Sequence, residues 1–179
     1  MQIYKSTNNA FTLIRKPCHR EHAFTLIEML VVISLIGILA ALGLASFTSA
    51  QKQARDSVRK SDLKQYQTSM EVYGNLTGGL YPSRTTAVVA STTLCADLNI
   101  KLEPDIACSE DSKYASDNTF VYRYISDGTS GTASASKYVI WAKLESKTPV
   151  TYIVNCSNGK NGTTTTAPMS SDCPTLTQQ

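Results

Sequence analysis

Residues 24–47, FTLIEMLVVISLIGILAALGLASF, restrict most severely what this chain can become: twenty-four residues with a single charge, Glu28. As a helix rising about 1.5 Å per residue the stretch is roughly 36 Å long, enough to cross a hydrocarbon core of about 30 Å with some tilt. It therefore predicts a membrane-spanning helix. A carboxylate in lipid costs on the order of 3 kcal/mol even on insertion scales, and an intramembrane acid is functional by default. Glu28 needs a cation, and no Lys, Arg or His lies along the run. The one local cation the chain can supply is a new α-amine, made by cutting before Phe24. That amine is mostly protonated at neutral pH and lies one helical turn from Glu28. The amine of a neighbouring copy would serve equally, and Glu28 would then set the axial register as helices pack. The competing reading is an ordinary secretory signal that ends at Gly43-Leu44-Ala45 and leaves a soluble chain starting at Ser46. Such signals use an apolar region of about 7–15 residues. This run is longer, and that reading leaves Glu28 without a role.

The formal charge of +3 is located almost entirely ahead of the run, where Lys5, Arg15, Lys16 and Arg20 stand against Glu21. Without residues 1–23 the chain holds 13 basic and 13 acidic residues, so a general electrostatic attraction to nucleic acid or acidic lipid is not supported. Basic residues flank the span on both sides, with Lys52, Arg55, Arg59, Lys60 and Lys64 following it, so charge alone does not orient it. Both histidines, His19 and His22, also precede the run, which removes most general-base and metal chemistry from the rest. Of five cysteines, Cys18 precedes the run. The other four, Cys95, Cys108, Cys156 and Cys173, predict two disulfides in an oxidising compartment. Three connectivities are open to four cysteines, reduced buried thiols are the alternative, and the expectation here is Cys95 with Cys108 and Cys156 with Cys173.

From Thr48 to about Tyr73 the helix continues as an amphipathic one, with Leu63, Tyr66, Met70 and Tyr73 on one stripe. The mixed charges Arg55, Asp56, Arg59, Lys60, Asp62 and Lys64 predict a solvated face, the alternative being that Arg55 or Arg59 bridges to a neighbouring copy. Gly74, Gly78, Gly79 and Pro82 place the helix end near Gly74. Residues 83–118 show little regular pattern beyond Leu98 to Leu102. Three strands follow, Thr119–Ile125, Lys137–Glu145 and Val150–Asn155, with Tyr138, Ile140, Ala142 and Leu144 on one face of the middle one. Asp127–Ser136 reads as a loop and Ser146–Pro149 as a hairpin connection. From Ser157 onward Gly, Thr, Ser and Asn dominate, a composition that does not build a core. The expected fold is α+β: a long helix whose C-terminal half packs on a small antiparallel sheet.

Reactive constellations are missing. There is no GxGxxG, no phosphate loop and no CxxC, and without histidine neither a Ser-His-Asp nor a Cys-His arrangement is available after residue 23. Glu103, Asp105, Glu110 and Asp111 have the residue types for a calcium site or a carboxylate pair, but a solvated loop accounts for them as well. No enzyme, cofactor or metal is expected.

Ala23-Phe24-Thr25-Leu26-Ile27-Glu28, with basic residues before and the apolar run after, resembles the signal of type IV prepilins and pseudopilins. A near-copy, Ala10-Phe11-Thr12-Leu13-Ile14, is followed by Arg15 and Lys16 and starts no span. Gly79-Leu80-Tyr81-Pro82 after Asp62-Leu63 and Tyr73 is similar to the helix exit of major pseudopilins and their pilin relatives. The resemblance implies a leader, residues 1–23, removed by a membrane-embedded prepilin peptidase between Ala23 and Phe24. It also implies methylation of the Phe24 amine and a role for Glu28 in assembly. Residues 24–47 would then be the membrane-spanning and filament-core half of the helix, 48–75 its amphipathic half, and 76–179 a globular head with a disulfide-bounded C-terminal loop. The implied function is a structural subunit of a type IV pilus, the alternatives being a major pseudopilin of a type II secretion system or a minor tip pilin that binds DNA or a surface. The implied partners are further copies of the chain in a helical homopolymer, the peptidase, an assembly platform, and the cytoplasmic membrane, with the head outside until the subunit joins an extracellular filament. Two departures stand out: Ala23 where the family usually has Gly, and Ala45 near which many members have Pro.

Overall fold

The computed structural model of the chain describes residues 24–102 and 108–178, apart from the side chains of residues 43–45. Two units meet between Leu42 and Gly43. Helix α1 is Leu26–Leu76 and contains no proline. It runs two residues past the expected end because Gly74 marks a close approach and not a stop. A Cβ there would lie 3.2 Å from the Tyr81 ring. The stop is Gly78, whose φ of 74° is left-handed. The Thr77 N–H bonds to the Tyr73 carbonyl at 3.1 Å and the Gly79 N–H to the Gly74 carbonyl at 2.7 Å, so two of the carbonyls in the last turn of α1 are satisfied.

After α1 come β1 (Tyr81–Pro82), β2 (Val88–Val89), a π-helical turn (Ala90–Leu94), α2 (Cys95–Asn99), β3 (Arg123–Ser126), β4 (Ala133–Ala135), β5 (Tyr138–Lys143), β6 (Tyr152–Cys156) and β7 (Asn161–Thr164). The main sheet is antiparallel, with five strands in the order β2-β3-β5-β6-β7, and β1 pairs separately with β4. Three of the five are the expected strands, shifted by one to four residues at their ends. Register puts Tyr124, Ile140 and Asn155 in one row and Arg123, Trp141 and Val154 in the next. Because side chains alternate across a sheet, these rows belong to opposite faces. The inner face, with Tyr122, Tyr124, Tyr138, Ile140 and Ala142, forms one core with Leu63, Tyr66, Met70 and Tyr73 of α1. Leu63, Met70 and Ile140 each contribute about 1.5–3 kcal/mol by leaving water. The buried phenols find acceptors: Tyr66 donates to the Ser109 carbonyl at 2.7 Å, Tyr122 to Asp62 at 2.5 Å and Tyr124 to the Pro82 carbonyl at 2.6 Å. Burial pushes the pKa of all three above the ordinary phenol value.

Two segments carry more structure than their composition suggests. Within residues 83–118, the π-helical turn and α2 place Ala90, Leu94, Leu98 and Leu102 in the inner core. These elements are five residues each, too short to show a helical period in sequence. The Ser/Thr-rich tail is not an inert extension. It pairs through β7, and its Thr163 and Thr177 exchange backbone bonds of 3.0 and 2.9 Å. Cys173 and Leu176 pack on the outer face against Ile125, Val139, Trp141 and Val154. A disulfide from Cys156 to Cys173 ties this tail down, and one from Cys95 to Cys108 closes the earlier connection, with Cα separations of 5.7 and 5.9 Å.

The charges on α1 divide: Lys60 and Lys64 are exposed, as a solvated face requires, whereas Asp56, Arg59 and Asp62 are buried and Arg55 is half-buried. Arg59 is 1% exposed. It donates to Asp111 at 2.5 and 3.0 Å and to Asp56 at 2.7 Å, and its guanidinium lies 4.6 Å from the centre of the Phe120 ring. Arg55 forms a two-pronged pair with Glu145 at 2.7 and 2.8 Å. Asp56 also accepts the N–H groups of Glu145 and Ser146 at 2.8 and 2.9 Å. The acidic group read from the sequence is thereby divided: Asp111 belongs to Arg59, Glu110 is exposed, and Glu103 and Asp105 lie outside the described residues. Arg55, followed by Lys113, holds the Glu145 carboxyl down to about 2 from an ordinary 4.5, with burial opposing them. Burial works to raise the Asp56 carboxyl, but the N–H groups of Glu145 and Ser146 and the Arg59 guanidinium keep it below its usual value.

Two expectations follow from this packing. Met70→Ala should destabilise the 43–178 unit by about 2–5 kcal/mol, against about 0.5 kcal/mol or less for the exposed Val72→Ala, in urea unfolding of the detergent-solubilised chain followed by Trp141 fluorescence. A lowered carboxylate pKa stabilises the fold above its unfolded value, and that stability is lost as pH falls through the folded one. Stability should therefore decline as pH drops from 4.5 towards about 2. Glu145→Gln should lower stability at pH 7 and flatten the decline, and an unchanged pH profile would contradict the ion-pair assignment.

Candidate assembly segment

Residues 24–42 present the opposite surface to that of a folded core. Apolar side chains are exposed along their whole length, Leu26 at 84%. In the most apolar 18-residue window of α1 none of the surface is buried. Length and composition suit this segment to a membrane or to other helices of its own kind. Its polar groups gather at the start. Thr25 stands just before the first turn of α1, its hydroxyl accepting the Glu28 N–H at 3.2 Å and its carbonyl accepting the Met29 N–H at 3.3 Å. Thr25 is thus the N-cap, and Glu28, three residues on, occupies the acidic position of the Thr-x-x-Glu capping pattern. A carboxylate in the first turn also faces the positive end of the helix dipole, worth about 0.3–1 kcal/mol.

This capping geometry places Phe24 and Glu28 one turn apart. Glu28 makes no ion pair among the described residues and stands exposed. Ala23, along with Cys18, His19, His22 and the basic residues of the N-terminal segment, lies outside them. The capping role of Thr25 is carried in sequence by its three-residue spacing to Glu28, a signal that the charge in the apolar run overshadows. Farther along, Ser34 returns its hydroxyl to the Val31 carbonyl at 2.7 Å, so that polar group is satisfied within the helix. Gly37 and Gly43 leave α1 uninterrupted. Arg55 and Arg59, the candidates for a bridge between copies, are paired with Glu145, Asp56 and Asp111 within the chain.

Residues 18–44 match the model for the prokaryotic N-terminal methylation motif. The chain is similar to the type IV major pilin protein PilA of Myxococcus xanthus, 37% identical over 54 residues, covering 30% of this chain and 24% of that one. It is similar to the type II secretion system core protein G of Pseudomonas aeruginosa, 39% identical over 64 residues, covering 36% and 44%. Competence protein ComGC of Halalkalibacterium halodurans is 35% identical over 60 residues, covering 34% and 59%. The matches thus span between about a quarter and three fifths of these relatives' lengths. No solved structure matches the chain. Residues 18–44 thus carry a prokaryotic N-terminal methylation motif, and over about a third of its length the chain is similar to a type IV major pilin, a type II secretion core protein and a competence protein.

Proposed function

We propose that the chain is a structural subunit of a type IV pilus filament, cut between Ala23 and Phe24, methylated at the new amine, and assembled through residues 24–47. The observation that carries this reading is the helix start: a capped first turn, Glu28 as the single acid in an exposed apolar run, and a methylation motif over the same residues. Cleavage would place an ammonium group one turn from Glu28, on the same helix or on a neighbouring one. Either pairing offsets the cost of leaving a carboxylate in lipid. Membrane insertion through α1 precedes polymerisation in this scheme, and residues 48–75 and 76–179 form the part carried outside the membrane. The role is structural and not catalytic. Similarity to a type II secretion core protein favours a second reading, a major pseudopilin, in which the same helix builds a short secretion filament. Electron microscopy of sheared surface material separates the two: long filaments containing this chain support the pilus.

Two outcomes are expected. The chain extracted from membranes or filaments should begin at Phe24 with a methylated amine, whereas a start at Ser46 would overturn the proposal. Glu28→Ala should leave the amount of chain in the membrane unchanged and abolish or disorder filaments, and normal filaments from that variant would remove Glu28 from assembly.

A further inference from the structure

Within the 43–178 unit the strands run along α1, and their contacts show in which direction. At the start of β5 the Tyr138 hydroxyl lies 3.5 Å from Glu71, and just past its end Glu145 pairs with Arg55. Those two positions on α1 are about 24 Å apart. The β5–β6 turn is therefore at the end of the sheet nearer Phe47, the residue of this unit where the apolar run stops. From Phe47 to Arg55 is about 12 Å of helix. The headgroup layer outside a hydrocarbon core fills about 5–8 Å of that distance. A bilayer that holds the apolar run thus brings its polar surface up to this turn, within reach of long side chains.

The charges at this end suit such a surface. Residues 146–150 are all exposed, Lys147 and the apolar Val150 among them. Lys52 is exposed on α1, between Phe47 and Arg55. Neither lysine makes a hydrogen bond or ion pair among the described residues. The carboxylates nearby are already engaged. Glu145 is held by Arg55 and Lys113, Asp111 by Arg59, and Asp56 by Arg59 and the N–H groups of Glu145 and Ser146. Asp117 accepts the Thr119 N–H at 3.0 Å. The bonds that fix the turn to α1 therefore use up its acids and leave two lysines exposed.

We propose that this end of the unit is a lipid-binding surface: in the membrane-inserted chain Lys147 and Lys52 take the phosphates of anionic phospholipid headgroups, and Val150 rests against the same layer. The proposal rests on the membrane-inserted state proposed above. Lys52 is brought to the headgroups by the helix alone, whereas Lys147 arrives because Arg55 and Asp56 hold the turn beside α1. A lysine near an anionic surface is attracted to it, and the attraction fades within a Debye length, about 10 Å at 0.1 M salt. The contact fixes which way the unit faces on the membrane.

The test reconstitutes the full-length chain into nanodiscs of phosphatidylcholine alone or with phosphatidylglycerol added. The acetylation rate of each lysine is then read by peptide mass spectrometry, using an uncharged reagent. A phosphate beside a lysine holds its proton, and the protonated amine does not react. Lys147 and Lys52 should each be acetylated at least about threefold more slowly in the anionic discs. Lys160 is exposed in the β6–β7 turn, at the other end of the sheet, where the Ser157 N–H meets the Tyr138 carbonyl. It should react alike in both discs. An unchanged Lys147 in discs that retain the chain overturns the lipid contact and leaves membrane insertion standing. Slowing that includes Lys160 overturns the confinement of the contact to this end. Chain recovered free of lipid, with neither Lys52 nor Lys147 slowed, overturns membrane insertion and the contact with it.

Discussion

Arg59 is a guanidinium almost wholly withdrawn from water, and the arrangement of the 43–178 unit follows from the need to satisfy it. A buried ion without a partner costs several kcal/mol, and here three elements supply the partners. Asp56 comes from the preceding turn of α1, Asp111 from the connection after Cys108, and the Phe120 face from the approach to β3. Asp56 in turn takes two backbone N–H groups of the β5–β6 turn. Apolar contact alone has no direction. The stripe from Leu63 to Tyr73 supplies most of the attraction between helix and sheet, while Arg59, Arg55 and the Tyr122 to Asp62 bond select one register along it.

Residues 24–42 follow the reverse principle. They keep their apolar surface outside and confine their polarity to a cap, where Thr25 satisfies a backbone donor and Glu28 faces the helix dipole. Such a segment has no folded interior of its own, and its length and composition suit it to lipid or to neighbouring helices. The processing reading makes the same first turn the source of the compensating charge. One short stretch therefore serves as helix cap and, in the proposed function, as anchor and register mark.

Much of this was legible in the sequence. The apolar run, the stripe on α1, the three central strands and the division of strand β5 into two faces all follow from local periodicity. The disulfide pairs in the structure link nearest neighbours along the chain. Other features were not legible. Arg55 and Arg59 read as surface residues because charges of both signs on a helix ordinarily stay in water, whereas their partners come 90 and 52 residues later. Gly74 read as a helix stop because a glycine near other breakers marks an end, but the ring of Tyr81 is what requires it. The tail read as solvated because composition averages over positions, and only Cys173 and Leu176 need to reach the outer face.

The sequence by itself determined the long helix, its apolar and amphipathic halves, the acid at its start, and the strands that follow, since each depends on residues within a few positions of one another. Tertiary structure alone decided which charges are buried, which face the tail covers, and which turn of the sheet lies beside Arg55. Those outcomes depend on groups brought together from distant parts of the chain, where desolvation and directional bonding are settled by the packed neighbours and not by the residue's own kind.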